Sequence, residues 1–372
     1  MLFQQVTGQE ELKRMLIQEV NEEKVSHAQL FLGKNGYGSL AITLAFVQYL
    51  FCENKQSQDS CGTCPSCIKV KNLQHPDLHF TFPTVLADNK TSEPLLGAWR
   101  QQIAETPYFD LNHWLEKIDP KGRKPSIGVD HSQEILRKLS LKAFEGKYKV
   151  MIIWMAEEMN IQCSNKLLKI LEEPPQNTIF LLVSESVDRM LPTILSRTQI
   201  LKIPRIDSDS MSLYLRETLN VSPVNLQSVL VRAEGDRIEA KGLALSQEET
   251  INTRDIFIQM MRVCYKKNVI DMMDWAEQVS AEGKESQKQF LEYSLHMFRQ
   301  SLLKNYTQDT LTRVSPEENS FLENFAKYIT GNNVFDFMNS FNDAHYHLER
   351  NANSKILFTN LCFNVMRYIH KA

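Results

Sequence analysis

Four of the seven cysteines stand between Cys52 and Cys67, in the order Cys52-x₈-Cys61-x₂-Cys64-x₂-Cys67. Four thiolates satisfy a tetrahedral zinc ion, and two adjoining CxxC units suit metal ligation far better than disulfide pairing. Gly62 and Pro65 supply the tight turns that such a knuckle needs. The spacing therefore predicts one structural zinc held by Cys52, Cys61, Cys64 and Cys67. His75 is read as a turn-stabilising residue, because four cysteines already close the site. Cys163, Cys264 and Cys362 lie among apolar neighbours and are read as small buried hydrophobes.

A second constellation is the run Gly33-Lys34-Asn35-Gly36-Tyr37-Gly38-Ser39-Leu40. It follows a strand-like HAQLFL and opens a helix, the setting in which backbone N–H groups and a helix N-terminus cradle phosphates. A working loop ends in Lys followed by Ser or Thr: the ammonium neutralises phosphate and the hydroxyl holds Mg²⁺. Here Ser39 and Leu40 take those places, and Lys34 sits too early to stand in. Gly33, Gly36 and Gly38 keep the backbone shape while Ser39 removes the charge, so the expectation is a loop without nucleotide.

The third constellation agrees. A buried strand such as KVMIIW in a nucleotide hydrolase ends in an Asp–Glu pair that holds Mg²⁺ and polarises the attacking water. Met155 and Ala156 occupy the aligned positions, and Glu157 and Glu158 follow one residue late. No ATP is expected to be bound or hydrolysed by this chain.

The elements that must position these residues alternate between short apolar runs and amphipathic stretches up to about Pro204, which predicts an α/β architecture with a parallel sheet. HAQLFL, Lys149–Trp154 and Thr178–Ser184 are the strand candidates. Asp130 with Gln133 resembles a capping box opening the helix that carries Ile135, Leu136 and Leu139. Residues 78–126, polar and containing Trp99 and Trp114, read as an insertion. Residues 205–248 read as a small helical lid domain. Residues 249–372 read as an all-α domain, with Phe290, Leu291, Met297, Phe298 and Leu302 at near-helical spacing as core. Residues 1–204 form the nucleotide-fold domain, with the four-cysteine module at 52–67.

Composition narrows the classes. The chain has 372 residues, 42% hydrophobic and 23% charged, with a net charge of −3. That charge argues against binding DNA by bulk electrostatics. The N-terminus has no signal-type apolar core, and Leu40–Phe51 is too short to span a bilayer, so a cytoplasmic protein with no membrane partner is expected.

One long segment carries a resemblance. Asn165-Lys166-Leu167-Leu168-Lys169-Ile170-Leu171-Glu172-Glu173-Pro174-Pro175, then TIFLLVS, then Pro192-Thr193-Ile194-Leu195-Ser196-Arg197, resembles the clamp-loader branch of the AAA+ superfamily. Gly8-Gln9 and the HAQLFLG strand fit the same pattern. Degenerate nucleotide motifs beside an intact Ser196-Arg197 are similar to the delta-prime-like subunits of that branch. The resemblance implies an AAA+ P-loop-type domain with a zinc knuckle, a helical lid and a helical collar. It implies a non-catalytic role in a five-subunit loader, with motor subunits and a delta subunit, that places the sliding clamp on primed DNA as part of a DNA polymerase III holoenzyme. Arg197, with Ser196, would be an arginine finger presented to ATP on a neighbouring subunit. Thr198 stands where Cys is more frequent. Ser184 would be the polar sensor position, and Arg237 in Gly235-Asp236-Arg237 is out of register for a second basic sensor. Glu349-Arg350-Asn351-Ala352-Asn353 before Ile356, Leu357, Leu361 and Val365 resembles a collar element. Two other classes stay open at this level: an active AAA+ ATPase, separable by nucleotide binding, and a zinc-knuckle nucleic-acid adaptor, separable by pull-down of motor subunits.

Overall fold

The computed structural model describes residues 1–371, apart from Pro120, Gly122, Ser222, Ser246, 308–311, Arg313, Ser315 and Asn351. It divides into two compact units, Met1–Asn220 with Ala233–Lys241, and Val221–Arg232 with Gly242–Ala372.

The first unit is built on a five-stranded, wholly parallel sheet: β1 (Ala28–Leu32), β2 (Leu78–Thr81), β3 (Lys149–Trp154), β4 (Thr178–Ser184) and β5 (Gln199–Lys202), in the order β2-β3-β4-β1-β5. The central strands are continuous apolar runs because helices cover both faces of a parallel sheet. Every residue of KVMIIW and TIFLLVS is buried accordingly. Pairing of Ile153 with Leu182 and of Leu32 with Ser184 brings the C-terminal ends of β1, β3 and β4 together. Loops leaving those ends make the site.

Two local expectations need correcting. Residues 78–126 are not simply an insertion, since Leu78–Thr81 is the edge strand β2, paired with Leu78 opposite Val150. Four residues interrupted by His79 are too few to show a period. The rest of the segment folds its aromatic side chains inward. The Trp99 ring stacks on Phe82 at 4.3 Å and meets Trp114, Phe109 and Trp154 at 5.3, 5.5 and 5.2 Å. The other correction concerns Asp130: the helix Val129–Ser140 is capped at Gly128 and so begins two residues earlier than a cap at Asp130 would start it, and His131 Nδ1 accepts the Gly128 N–H at 3.1 Å. An imidazole acceptor at the third helical position does what Gln133 was expected to do.

The helix Ile161–Glu172 starts on an Asn160 cap, whose side chain accepts the Cys163 N–H at 2.8 Å, and stops before Pro174-Pro175. Proline cannot continue the ladder and restricts the residue before it. Glu172 is thereby held on a rigid last turn.

The second unit is helical. Phe290, Leu291, Met297 and Phe298 are buried in its core beside Cys264 and Cys362, with Leu302 half-buried against them. In the helix Ser354–Ile369, capped by Asn353, Leu361 and Val365 face this core while Ile356 is 70% exposed. Asn351 of the same motif lies outside the described residues. Among the described residues no helix is long and apolar enough to cross a membrane.

Candidate functional site

The loop after β1 makes its own short 3₁₀ turn, Asn35–Tyr37, before the helix Ser39–Phe51. The Tyr37 N–H donates to Lys34 O at 2.9 Å and the Gly38 N–H to Asn35 O at 3.0 Å. The Asn35 N–H donates instead to Glu185 Oε1 at 2.9 Å. Three amides of a phosphate-type loop are thus engaged by groups of the chain itself. Gly36 faces the Asp236 carboxylate so closely that a Cβ there would overlap it. At Gly38, φ is +93° and an added Cβ would lie 3.0 Å from the Tyr108 ring. Ser39 is fully buried, and its hydroxyl has no hydrogen-bond partner among the described residues.

Asn35 gathers the rest of the site. Its Oδ1 accepts the Trp154 indole N–H at 3.1 Å, and its Nδ2 lies 3.4 Å from Met155 Sδ. Met155 turns the chain with φ 54° and ψ 55°, a left-handed conformation that costs a non-glycine residue of order 1 kcal/mol or more. That turn sends Ala156 into the apolar core under the sheet, away from the loop. It also redirects the two glutamates. Glu157 Oε1 accepts the Glu185 N–H at 2.8 Å, and Glu158 pairs with Arg189 at 2.6 Å. Burial pushes the Glu157 carboxyl upward, against the backbone donors that favour its anion. Ser184 Oγ donates to Ser186 O at 2.8 Å.

Arg237 lies between two tyrosine rings, its guanidinium carbon 3.9 Å from the centroids of Tyr108 and Tyr214, with Nη1 donating to Thr7 Oγ1 at 2.8 Å. Asp236 meanwhile accepts the N–H groups of Ile238 and Glu239 at 3.0 and 3.2 Å. Trp154, Glu185, Asp236 and Tyr108 were not singled out from sequence. Glu185 directly follows a recognised strand, and Asp236 neighbours an arginine already noted, so a partial signal existed for both. Tyr108 left none.

Ser196 and Arg197 sit at the opposite end of β1, in an open groove of about 670 Å³ lined also by His27, Leu171 and Glu172. The Arg197 Nε donates to Glu172 Oε1 at 2.6 Å and Nη2 to the same oxygen. Its Nη1 reaches Thr193 O at 2.8 Å and Ser196 Oγ at 3.2 Å. The side chain is 31% exposed. The two constellations therefore do not meet within this chain.

The four cysteines do come together. Their sulfurs all lie within 4.8 Å of one another, close enough to hold a metal ion. Cys52 and Cys61 are 3.6 Å apart, and Cys61 and Cys67 are 4.0 Å apart. A tetrahedron with bonds of about 2.3 Å spaces its sulfurs by about 3.8 Å, so the donor set fits zinc. Backbone N–H groups of Cys61, Cys64 and Cys67 point at the sulfurs of Cys52, Cys61 and Cys64 at 3.3, 3.4 and 3.4 Å. Donors from Thr63 and Cys64 pull the Cys61 thiol down to about 6, whereas burial raises Cys52 and Cys67. His75 has both ring nitrogens occupied, Nδ1 by the Asp77 N–H at 3.2 Å and Nε2 by Ser66 Oγ at 3.5 Å, and stacks on Phe51. It takes no place among the sulfurs.

A parallel sheet whose first strand runs through a glycine-rich loop into a helix places the protein among the P-loop-type nucleotide folds. More narrowly, residues 8–207 match the family described as DNA polymerase III, delta subunit, and the chain belongs to that family. The delta' subunit of Bacillus subtilis is 26% identical over 70% of this chain and 66% of its own length. That of Escherichia coli K12 is 26% identical over 63% of this chain and 59% of its own. The tau subunit of Bacillus subtilis is 23% identical over 100% of this chain and 62% of its own. The chain thus spans less than two thirds of the length of these curated relatives. Among solved structures, a DNA polymerase III gamma subunit-related protein of Thermotoga maritima aligns over 96% of this chain at 14% identity with a TM-score of 0.41, a likeness too loose to bear on the site.

Proposed function

We propose that this chain is a non-catalytic, delta-prime-type subunit of a bacterial replicative clamp loader. It joins motor subunits and a delta subunit in a hetero-pentamer that loads the sliding clamp onto primed DNA, within the DNA polymerase III holoenzyme. One observation carries the reading: carboxylates of the chain, Glu185 and Asp236, stand against Asn35 and Gly36 where a nucleotide phosphate would have to lie. Triphosphate brought there would meet negative charge in place of the lysine that Ser39 has displaced. Repulsion between unit charges about 4 Å apart is roughly 4 kcal/mol at an effective dielectric of 20.

Arg197 is the residue that acts, in trans, with Ser196 beside it. In a ring, its guanidinium would exchange Glu172 for the γ-phosphate on a neighbour and stabilise charge developing there, an effect of roughly 10³–10⁵-fold where an arginine finger is essential. Zinc, held by Cys52, Cys61, Cys64 and Cys67, would tie down the loop between the helices Ser39–Phe51 and Pro65–Lys71. Its contribution is structural. Residues 1–204 serve as the nucleotide-fold domain, 205–248 as the lid and 249–372 as the oligomerisation collar.

The test is Arg197→Ala in a loader reconstituted with its motor subunits and clamp. Assembly should be intact, because an ion pair this exposed contributes at most about 1 kcal/mol. Clamp- and DNA-stimulated ATPase should fall, by less than the full finger effect since one interface of several is lost. Arg197→Lys should restore little, because a point charge lacks the planar fork of donors. ATPase and clamp loading at the wild-type rate in the alanine variant would make Arg197 a structural residue.

A further inference from the structure

A second cleft lies beside the Tyr108–Arg237 stack, wholly within the first unit, with a volume of about 730 Å³. That size is in the range of small-molecule sites. Its floor is apolar, from Leu44, Val70, Ile103 and Pro107. Its charged lining is one-sided: Lys71, Arg100 and Arg237 border it, and among the described residues no carboxylate does. In a chain of net charge −3, three cations gathered around one apolar floor without an acid are a departure from the average surface. The acid on the same helix as Arg100, Glu105, is tied to Lys117 at 2.9 Å.

The cations are available to different degrees. Arg100 donates Nε to Leu73 O at 3.1 Å and makes no other hydrogen bond among the described residues, which leaves its terminal nitrogens unused. The side chain of Lys71, in the last turn of the helix Pro65–Lys71, makes no hydrogen bond or ion pair among the described residues. Arg237 is held by Thr7 and the two tyrosines, so it contributes fixed charge at the back wall. Leu73, whose carbonyl anchors Arg100, has φ +52°, a left-handed backbone that strains a leucine and that only surrounding contacts maintain. Guanidinium groups match phosphate oxygens in planar, two-donor fashion, and a lysine adds a mobile point charge.

We propose that this cleft binds a nucleoside 5′-phosphate, with the base on the apolar floor and the phosphate between Lys71 and Arg100, apart from the glycine-rich loop and without Mg²⁺. The same chemistry arrives either as a free nucleotide or as the phosphorylated 5′ end of a strand.

The experiment titrates the intact, zinc-loaded chain with dAMP in buffer free of both Mg²⁺ and chelator, followed by calorimetry. Saturable binding in or below the millimolar range is expected, with no binding of deoxyadenosine. Lys71→Met and Arg100→Met should each weaken it by roughly tenfold or more, the size of one hydrogen bond to a charged group. Lys71 supports nothing else, so its variant keeps the test valid if Arg100→Met perturbs the Leu73 loop. A 5′-phosphorylated tetranucleotide that binds at least as well as dAMP, and loses binding without its phosphate, identifies a strand end; binding of dAMP alone identifies a free nucleotide. No saturable binding of either probe, or binding unchanged in Lys71→Met, overturns the proposal. Binding that requires Mg²⁺ and survives Lys71→Met would overturn it too, and would place nucleotide in the loop, against the proposed function.

Discussion

Asp77→Ala is the substitution whose cost the structure sets most directly. The Asp77 carboxylate is 3% exposed and accepts three consecutive backbone N–H groups, from Phe144 at 2.6 Å and from Glu145 and Gly146 at 2.8 Å each. Alanine removes all three acceptor contacts. Phe144 and Glu145 are exposed, so water can reach the freed amides, and the loss is that of three bonds without the extra penalty of orphaned donors. At about 1 kcal/mol each the variant should lose about 3 kcal/mol. For a cooperative unit of this size that is roughly 6–12 °C in Tm. Asp77→Asn keeps one acceptor oxygen and should lose about half as much. The pH dependence adds a second readout. Burial tends to raise the Asp77 carboxyl, but the amides of Gly146, Phe144 and Glu145 outweigh it and hold the carboxyl below its ordinary value of 3.8. A depressed carboxyl contributes stability that is complete above the unfolded value and is lost as pH falls through the folded one. The gap in Tm between wild type and Asp77→Ala should therefore be constant from pH 7 to about 5 and shrink below about 4. Differential scanning calorimetry across that range measures both. A gap under about 1 kcal/mol at pH 7, or one that widens in acid, would refute the assignment of Asp77 as the clamp of the 144–146 loop.

Mg²⁺-dependent ATP binding to the isolated chain should be undetectable below millimolar concentration by calorimetry, because Glu185 and Asp236 stand at the loop; a micromolar dissociation constant would contradict the reading. Protein purified without chelator should carry one zinc per chain by metal analysis, and Cys64→Ser should lose it and lower Tm; less than about a tenth of an equivalent with four freely titratable thiols would refute the metal site.

The legible part of this protein is what local chemistry and period determine. KVMIIW and TIFLLVS announce themselves as central strands, because a strand buried on both faces must be apolar at every position. The helix before Pro174-Pro175 announces its end, because proline leaves no choice. Four cysteines at knuckle spacing point to one another without any knowledge of the sheet. The loss of lysine at Ser39 and of carboxylates at Met155 is likewise visible residue by residue.

What fills the space those losses leave is decided only in three dimensions. Asn35 meets Glu185, Gly36 meets Asp236, and Gly38 meets Tyr108, over sequence separations that no periodic pattern spans. A deleted lysine shows that a charge is missing; whether water or a neighbouring side chain takes its place depends on which strand ends the parallel register brings side by side. The edge strand β2 escaped notice for a related reason: four residues with one histidine carry no period, and their partner, β3, supplies the hydrogen bonds that make them a strand. Trp99 and Trp114 looked out of place in a polar stretch because what buries them is dispersed along the chain: Phe82 and Phe109 of the same stretch and Trp154 of β3 meet Trp99, and Phe82 meets Trp114. Composition and spacing state which groups a chain possesses, whereas only the folded chain decides which of them face each other and so which charges are free to act.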